Sequence, residues 1–261
     1  MPREFQVDET LSYKQLNHQS TSLVIPQLTR VKIHNSMYYK INLEPPAQRG
    51  VNMIQLSKTL IRDFGTCRGQ PRSMLMACGG VEFKCLLMKV IHIRPTLAQI
   101  LEILKKGFQK TSKFDNKYIV VLILLYLRIQ YYYLPMVHSK GHPAPNLEDI
   151  DKEGQIDSEI LRNIFKIFIN DYRKVKSVLL DVDCWSSTTE QSVGILHIDE
   201  IVDWLSTKDE IWGIPLGRCR WCNIFEDDTS DNDDSSSEES ANDHASDTSS
   251  DGDDNRGISA N

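Results

Sequence analysis

KYIVVLILLYLRIQYYYL, residues 117–134, decides the fold. From Tyr118 to Leu127 all ten side chains are apolar or aromatic, Arg128 interrupts the run, and Pro135 forbids its continuation. Ten such residues fall well short of the roughly 18–20 that a bilayer-crossing helix needs, so no membrane is expected. A helix apolar on nearly all sides must run through the middle of a bundle, surrounded by its neighbours. Ile119, Val120, Val121 and Ile123 are β-branched and also suit a buried strand. The length of the run and the lack of turn residues within it favour the helix. The expected fold class is all-α, mostly helical, an irregular multi-helix domain with one small β-hairpin.

Upstream, residues 51–64 place Met53, Leu56, Leu60, Ile61 and Phe64 largely on one helical face, with Gly65 as the stop. In residues 81–93, Phe83, Leu86, Leu87, Val90 and Ile91 form an apolar stripe, leaving Lys84 and Lys89 to solvent; Pro95 ends the helix. Thr96 then caps a further helix in capping-box register with Gln99, and Leu97, Ile100, Leu101 and Leu104 are its buried face. Residues 31–41 carry Ile33, Met37, Tyr38 and Ile41 at the spacing of one short helix, stopped before Pro45. Downstream, Ile160, Leu161, Ile164, Phe165 and Phe168 predict a helix that runs on through residues 171–176. Two β-prone stretches, 178–185 and 193–198, suit a hairpin, and Asp199 is placed to cap a last helix bearing Ile201, Trp204 and Leu205.

The chain has 261 residues, 40% of them hydrophobic, with 30 Lys+Arg against 36 Asp+Glu. The net charge of −6 conceals a split: residues 226–261 hold thirteen acidic residues and a single base, Arg256, so the remainder is mildly basic. Three parts follow. Residues 1–30 are an N-terminal arm packing on or extending from the body; 31–225 are a helical domain with a flexible insertion at 138–157; 226–261 are an acidic, Ser/Asp-rich tail expected to be disordered. Six cysteines at irregular spacing do not read as a disulfide framework, which points to a reducing nuclear or cytosolic setting.

Candidate chemistry is sparse. Cys219 and Cys222 have the spacing of a zinc half-site, but no second half-site accompanies them, so no metal and no cofactor are expected. The glycines at 65, 69, 79 and 80 match no nucleotide-binding fingerprint, and neither a nucleophile elbow nor a His-Glu-x-x-His helix is present. An enzyme is not expected. Tyr131, Tyr132 and Tyr133 are consecutive and cannot share one helical face; they are candidate partner anchors, with Trp204 and Trp212, against the plainer reading of core and rim packing. Lys105, Lys106, Lys110, Lys113 and Lys117, with Arg173, Lys174 and Lys176, are candidate phosphate contacts. The plainer reading is a solvated charged face. In the tail, Ser230, Ser235, Ser236 and Ser240 each precede an acidic residue by three positions, the context of an acidophilic kinase site.

The segments VEFKCLLMK (81–89), DYRKVK (171–176) and HIDE (197–200) resemble signatures of the pre-mRNA-splicing factor 38 family. IHNSMYYK (33–40), QYYYL (130–134) and IWGIPLG (211–217) are similar to its budding-yeast form, and the resemblance spans about residues 5–221. It implies a non-enzymatic nuclear scaffold of the U4/U6.U5 tri-snRNP, required for splicing at the activation step that leads to U4 release. It further implies two protein partners, a zinc-finger splicing protein and a helical, charged splicing factor, with the zinc belonging to the partner. Direct contact with snRNA through the basic helical faces is the alternative. The long arginine- and serine-rich extension of the animal form is lacking; this chain ends in acid instead.

Overall fold

The computed structural model describes residues 24–44, 52–67, 77–105, 114–133, 158–179 and 192–217. The insertion 138–157, the tail, Cys219 and Cys222 lie outside them, as do Lys106, Lys110, Lys113 and the four tail serines. The helices are α1 (Gln27–Asn35), α2 (Met37–Asn42), α3 (Met53–Phe64), α4 (Val81–Ile93), α5 (Leu97–Lys105), α6 (Lys117–Tyr133), α7 (Ser158–Phe168) and α8 (Ile198–Thr207). Three antiparallel strand pairs join them: β1 (Thr66–Cys67) with β2 (Phe114–Asp115), β3 (Lys174–Val178) with β4 (Val193–His197), and β5 (Glu210–Ile211) with β6 (Ile214–Pro215). The fold is therefore mostly helical, with three short antiparallel strand pairs among the described residues where the sequence suggests one hairpin; β1 and β2 pair across two intervening helices.

α6 is the centrepiece. Every residue from Tyr118 to Gln130 is buried, and α3, α4, α5, α7, α8 and β3 all pack on it. Each Val, Ile or Leu so enclosed contributes about 1.5–3 kcal/mol relative to exposure. The helix tolerates its β-branched residues because its neighbours surround it on all sides. The Thr96 reading holds as well: the Thr96 amide donates to Gln99 Oε1 at 3.1 Å and the Gln99 amide to Thr96 Oγ1 at 3.4 Å.

Several local expectations are corrected. Residues 31–41 form parts of two helices, because Ser36 ends one and begins the next. Its amide donates to the Ile33 carbonyl at 3.1 Å, and its Oγ accepts the Tyr39 amide at 3.2 Å. Ile33 and Tyr39 turn inward, while Met37 and Ile41 are exposed. Lys84 and Lys89 are buried, at 6% and 3% exposure, because α1, α2 and α3 cover the face of α4 that α6 does not. Lys89 Nζ lies 5.9 Å from the Tyr39 ring centroid. The helix of residues 158–168 does not reach 176: Lys174 to Ser177 alternate exposed and buried, and pair with β4. The hairpin thus begins at Lys174 instead of residue 178. α8 is begun by His197, whose amide donates to Glu200 Oε2 at 2.8 Å, while the Asp199 amide donates to the Asp171 carbonyl.

Candidate protein-docking surface

Arg128 fixes the wall on which the surface is built. It is fully buried, and its guanidinium donates to three carbonyls: Nε to Leu205 at 2.7 Å, Nη1 to Leu216 at 2.8 Å and Nη2 to Gly217 at 2.8 Å. Charge-assisted bonds of this kind are about twice as strong as neutral ones, and the planar fork holds all three acceptors in register. α6 thereby clamps both the end of α8 and the turn after β6. Arg173 ties the next element: it donates to Asp171 and to Asp115 at 2.6 and 2.7 Å, and these carboxylates hold its guanidinium above the ordinary value although burial opposes them.

On this wall, Ile169, Asn170 and Tyr172 after α7, Leu196 of β4, and Asp199, Glu200, Asp203 and Trp204 of α8 line a groove of about 510 Å³. Asp199 and Asp203 are one helical turn apart, as are Glu200 and Trp204, so α8 presents carboxylates beside an indole. Tyr172 is exposed, and Asp199 Oδ1 is buried without a hydrogen-bond partner among the described residues. Lys208 Nζ sits 4.3 Å from the Trp204 ring centroid, so that ring already engages a cation. The arrangement suits binding, with a negative rim around apolar and aromatic surface. Among the described residues no group of three or more His, Cys, Asp or Glu is placed to hold a metal.

The residues singled out from sequence are scattered by the fold. Trp204 lines the groove; Trp212 instead lies in the core, 2% exposed, with its indole donating to Ser177 Oγ at 3.1 Å and the Val178 carbonyl at 3.2 Å. Tyr131 is half-buried against the core, and the side chains of Tyr132 and Tyr133 lie outside the described part. Among the basic candidates, Lys174 and Lys176 are exposed on β3, Lys105 is partly buried, Lys117 lies 5.6 Å from the Tyr118 ring centroid, and Arg173 is engaged as above. Sequence reasoning missed Arg128 and the acidic stripe of α8. Arg128 read as the end of an apolar run, and Asp199 and Glu200 read as helix-start carboxylates.

A buried helix walled by amphipathic ones, with small antiparallel strand pairs beside them, defines a mostly helical protein of irregular multi-helix architecture. The chain belongs to the PRP38 family, whose model matches residues 14–229. It is 46% identical over 230 residues to the protein named Pre-mRNA-splicing factor 38 of Saccharomyces cerevisiae, covering 86% of this chain and 88% of that protein. Its fold is similar, with a TM-score of 0.51 and 20% identity, to a chain in the crystal structure of the Snu23-Prp38-MFAP1(217-258) complex of Chaetomium thermophilum, covering 81% of this chain and 84% of that one.

Proposed function

We propose that the chain is a non-enzymatic nuclear scaffold of the U4/U6.U5 tri-snRNP, acting at the activation step that leads to U4 release. Its work is to hold protein partners in place. Family membership, the name of the yeast relative and the composition of the crystallised complex support this reading. The observation that carries it is the groove of Tyr172, Leu196, Asp199, Asp203 and Trp204 on a wall that Arg128 makes rigid. A carboxylate rim beside two aromatic rings suits a helical partner with basic and apolar residues on one face, matching the charged helical partner that the family resemblance implies. The zinc-finger partner would occupy a separate surface.

Calorimetry of the full chain against this organism's counterpart of the crystallised MFAP1 segment tests the reading. Binding is expected at 1:1 stoichiometry, with Trp204→Ala weakening it by about tenfold or more. Absence of binding to that segment and to the counterpart of Snu23 removes the scaffold assignment. Direct snRNA contact is the rival, favoured by the exposure of Lys174 and Lys176. RNA crosslinks at those lysines in assembled particles would support it; crosslinks to protein alone would support the scaffold.

A further inference from the structure

Carboxylates at the start of a helix are ordinarily explained by the free backbone amides there, an effect confined to the first turn. α8 departs from that explanation twice. Asp199 is at its second position, yet its Oδ1 is buried and no donor reaches it among the described residues. Asp203 lies a full turn further on and is exposed; Ser206 and Thr207 donate to its backbone carbonyl, and its carboxylate has no hydrogen bond or ion pair among the described residues. Glu200 differs, since its Oε2 accepts the His197 amide at 2.8 Å.

Both unpaired carboxylates border the groove beside α8. No residue lining it is basic, and Tyr172 and Trp204 set aromatic rings next to the acids. The Trp204 ring already attracts one cation, Lys208 Nζ at 4.3 Å, but Lys208 does not line the groove and pairs with neither carboxylate among the described residues. Asp199 is half-buried, and the groove is where its carboxylate can be reached. A half-buried carboxylate without a donor is a free-energy cost that a cation entering from the groove would offset.

We propose that the groove takes the guanidinium of a partner protein's arginine, held between Asp199 and Asp203 beside the Trp204 and Tyr172 rings. This rests on the groove being a partner surface, as proposed above, and names the group that enters it. Helical positions four apart bring their Cβ atoms to about 5–6 Å. A guanidinium is planar with donors on more than one edge, so it gives to both carboxylates at once while its flat face lies on a ring. A lysine ammonium is a compact, more strongly hydrated point charge that forgoes the flat contact. Ile169 and Leu196 favour apolar residues on either side of the arginine. The phosphates of an RNA would instead meet charge of their own sign.

NMR titration of the isotope-labelled full-length chain provides the test. The probe is the peptide acetyl-Ala-Leu-Arg-Leu-Ala-amide, read at the indole N–H of Trp204 with the buried Trp212 as internal control. The arginine peptide should shift the Trp204 signal saturably and leave the Trp212 signal in place. Its lysine version should bind about tenfold or more weakly, and its neutral citrulline version should give no shift. Asp199→Asn and Asp203→Asn should each weaken the arginine peptide by about tenfold; should the first not fold, the second, at an exposed position, still decides the question. No shift with the arginine peptide, equal affinity for the lysine or citrulline version, or undiminished binding by the Asp203→Asn chain would each overturn the proposal. Binding of the MFAP1-segment counterpart without any response to the arginine peptide removes this site and leaves the scaffold; response to the peptide without binding of either partner removes the scaffold and leaves this site.

Discussion

Arg128 in the buried centre of α6 donates from Nη1 to the carbonyl of Leu216 at 2.8 Å, joining residues 88 positions apart. Leu205 and Gly217 accept from the same guanidinium, so one side chain serves three backbone acceptors, of which those of Leu205 and Leu216 are buried and have no water to turn to. Arg128→Leu keeps the volume apolar but strands those carbonyls. It should lower unfolding stability by about 3–5 kcal/mol. Arg128→Lys restores the charge but not the fork, and should recover only a minor part. Denaturant titration followed by circular dichroism measures both; a Leu variant as stable as the parent would show that the three bonds contribute nothing net.

Gly79 and Trp212 form a second tight pair. Gly79 has φ +81°, and a Cβ there would come within 2.4 Å of the Trp212 ring, which itself packs edge-on against Phe83 at 5.5 Å between centroids. Gly79→Ala therefore meets both a backbone penalty and a clash, and should cost about 2–3 kcal/mol. Trp212→Phe should lose the two indole hydrogen bonds and cost about 1–2 kcal/mol. The midpoint of thermal unfolding reports both, and an unchanged midpoint in Gly79→Ala would mean that the ring has room to move.

Burial lowers Lys89 from 10.5 to about 8. Between those values the unfolded chain binds more protons than the folded one, so this group makes folding more favourable as pH rises through the window. Below about pH 8 the burial penalty is complete. Lys89→Met should accordingly stabilise the protein at pH 7 by about 2 kcal/mol, with the gain fading towards pH 10.5. The difference between the two proteins isolates Lys89 from Cys78 and Cys85. Those buried thiols are pushed upward, Cys85 to about 12, and act in the opposite direction at high pH. A gain that does not vary with pH would assign the effect to packing alone.

Removal of residues 227–261 should leave the unfolding midpoint unchanged, because that sequence offers no apolar periodicity to bury. Scanning calorimetry of the truncated chain checks this, and a clear fall would place part of the tail in the fold.

The helical core was legible because its signal is repeated. Tyr118 to Leu127 leaves no polar face, and Met53, Leu56, Leu60 and Phe64 recur at one period, so each residue confirms its neighbours. Single-residue decisions were not legible. Ser36 splits a helix with one hydroxyl and one amide, and no periodicity reports that. Lys84 and Lys89 looked solvent-facing on α4 considered alone; the helices that cover them come from residues 27–64, and only tertiary packing says so. Residues 174–177 alternate in burial, but their sequence, Lys-Val-Lys-Ser, carries a single apolar residue and cannot outweigh the helical pattern that precedes it. The groove beside α8 was half visible. Trp204 stood out as a large ring, whereas Asp199 and Asp203 gain meaning only when α8 sets them one turn apart beside Tyr172.

The seat of Trp212 over Gly79 and Phe83 also governs the timetable of synthesis. A ribosome makes the glycine and the phenylalanine long before it makes the indole that shuts over them, and a tunnel holds back the most recent stretch of chain. Until translation has passed well beyond residue 212, the nascent body keeps a greasy opening at its centre. Closure of this core thus waits on the emergence of residue 212, and a stall before that point would leave an adhesive intermediate for chaperones to shelter.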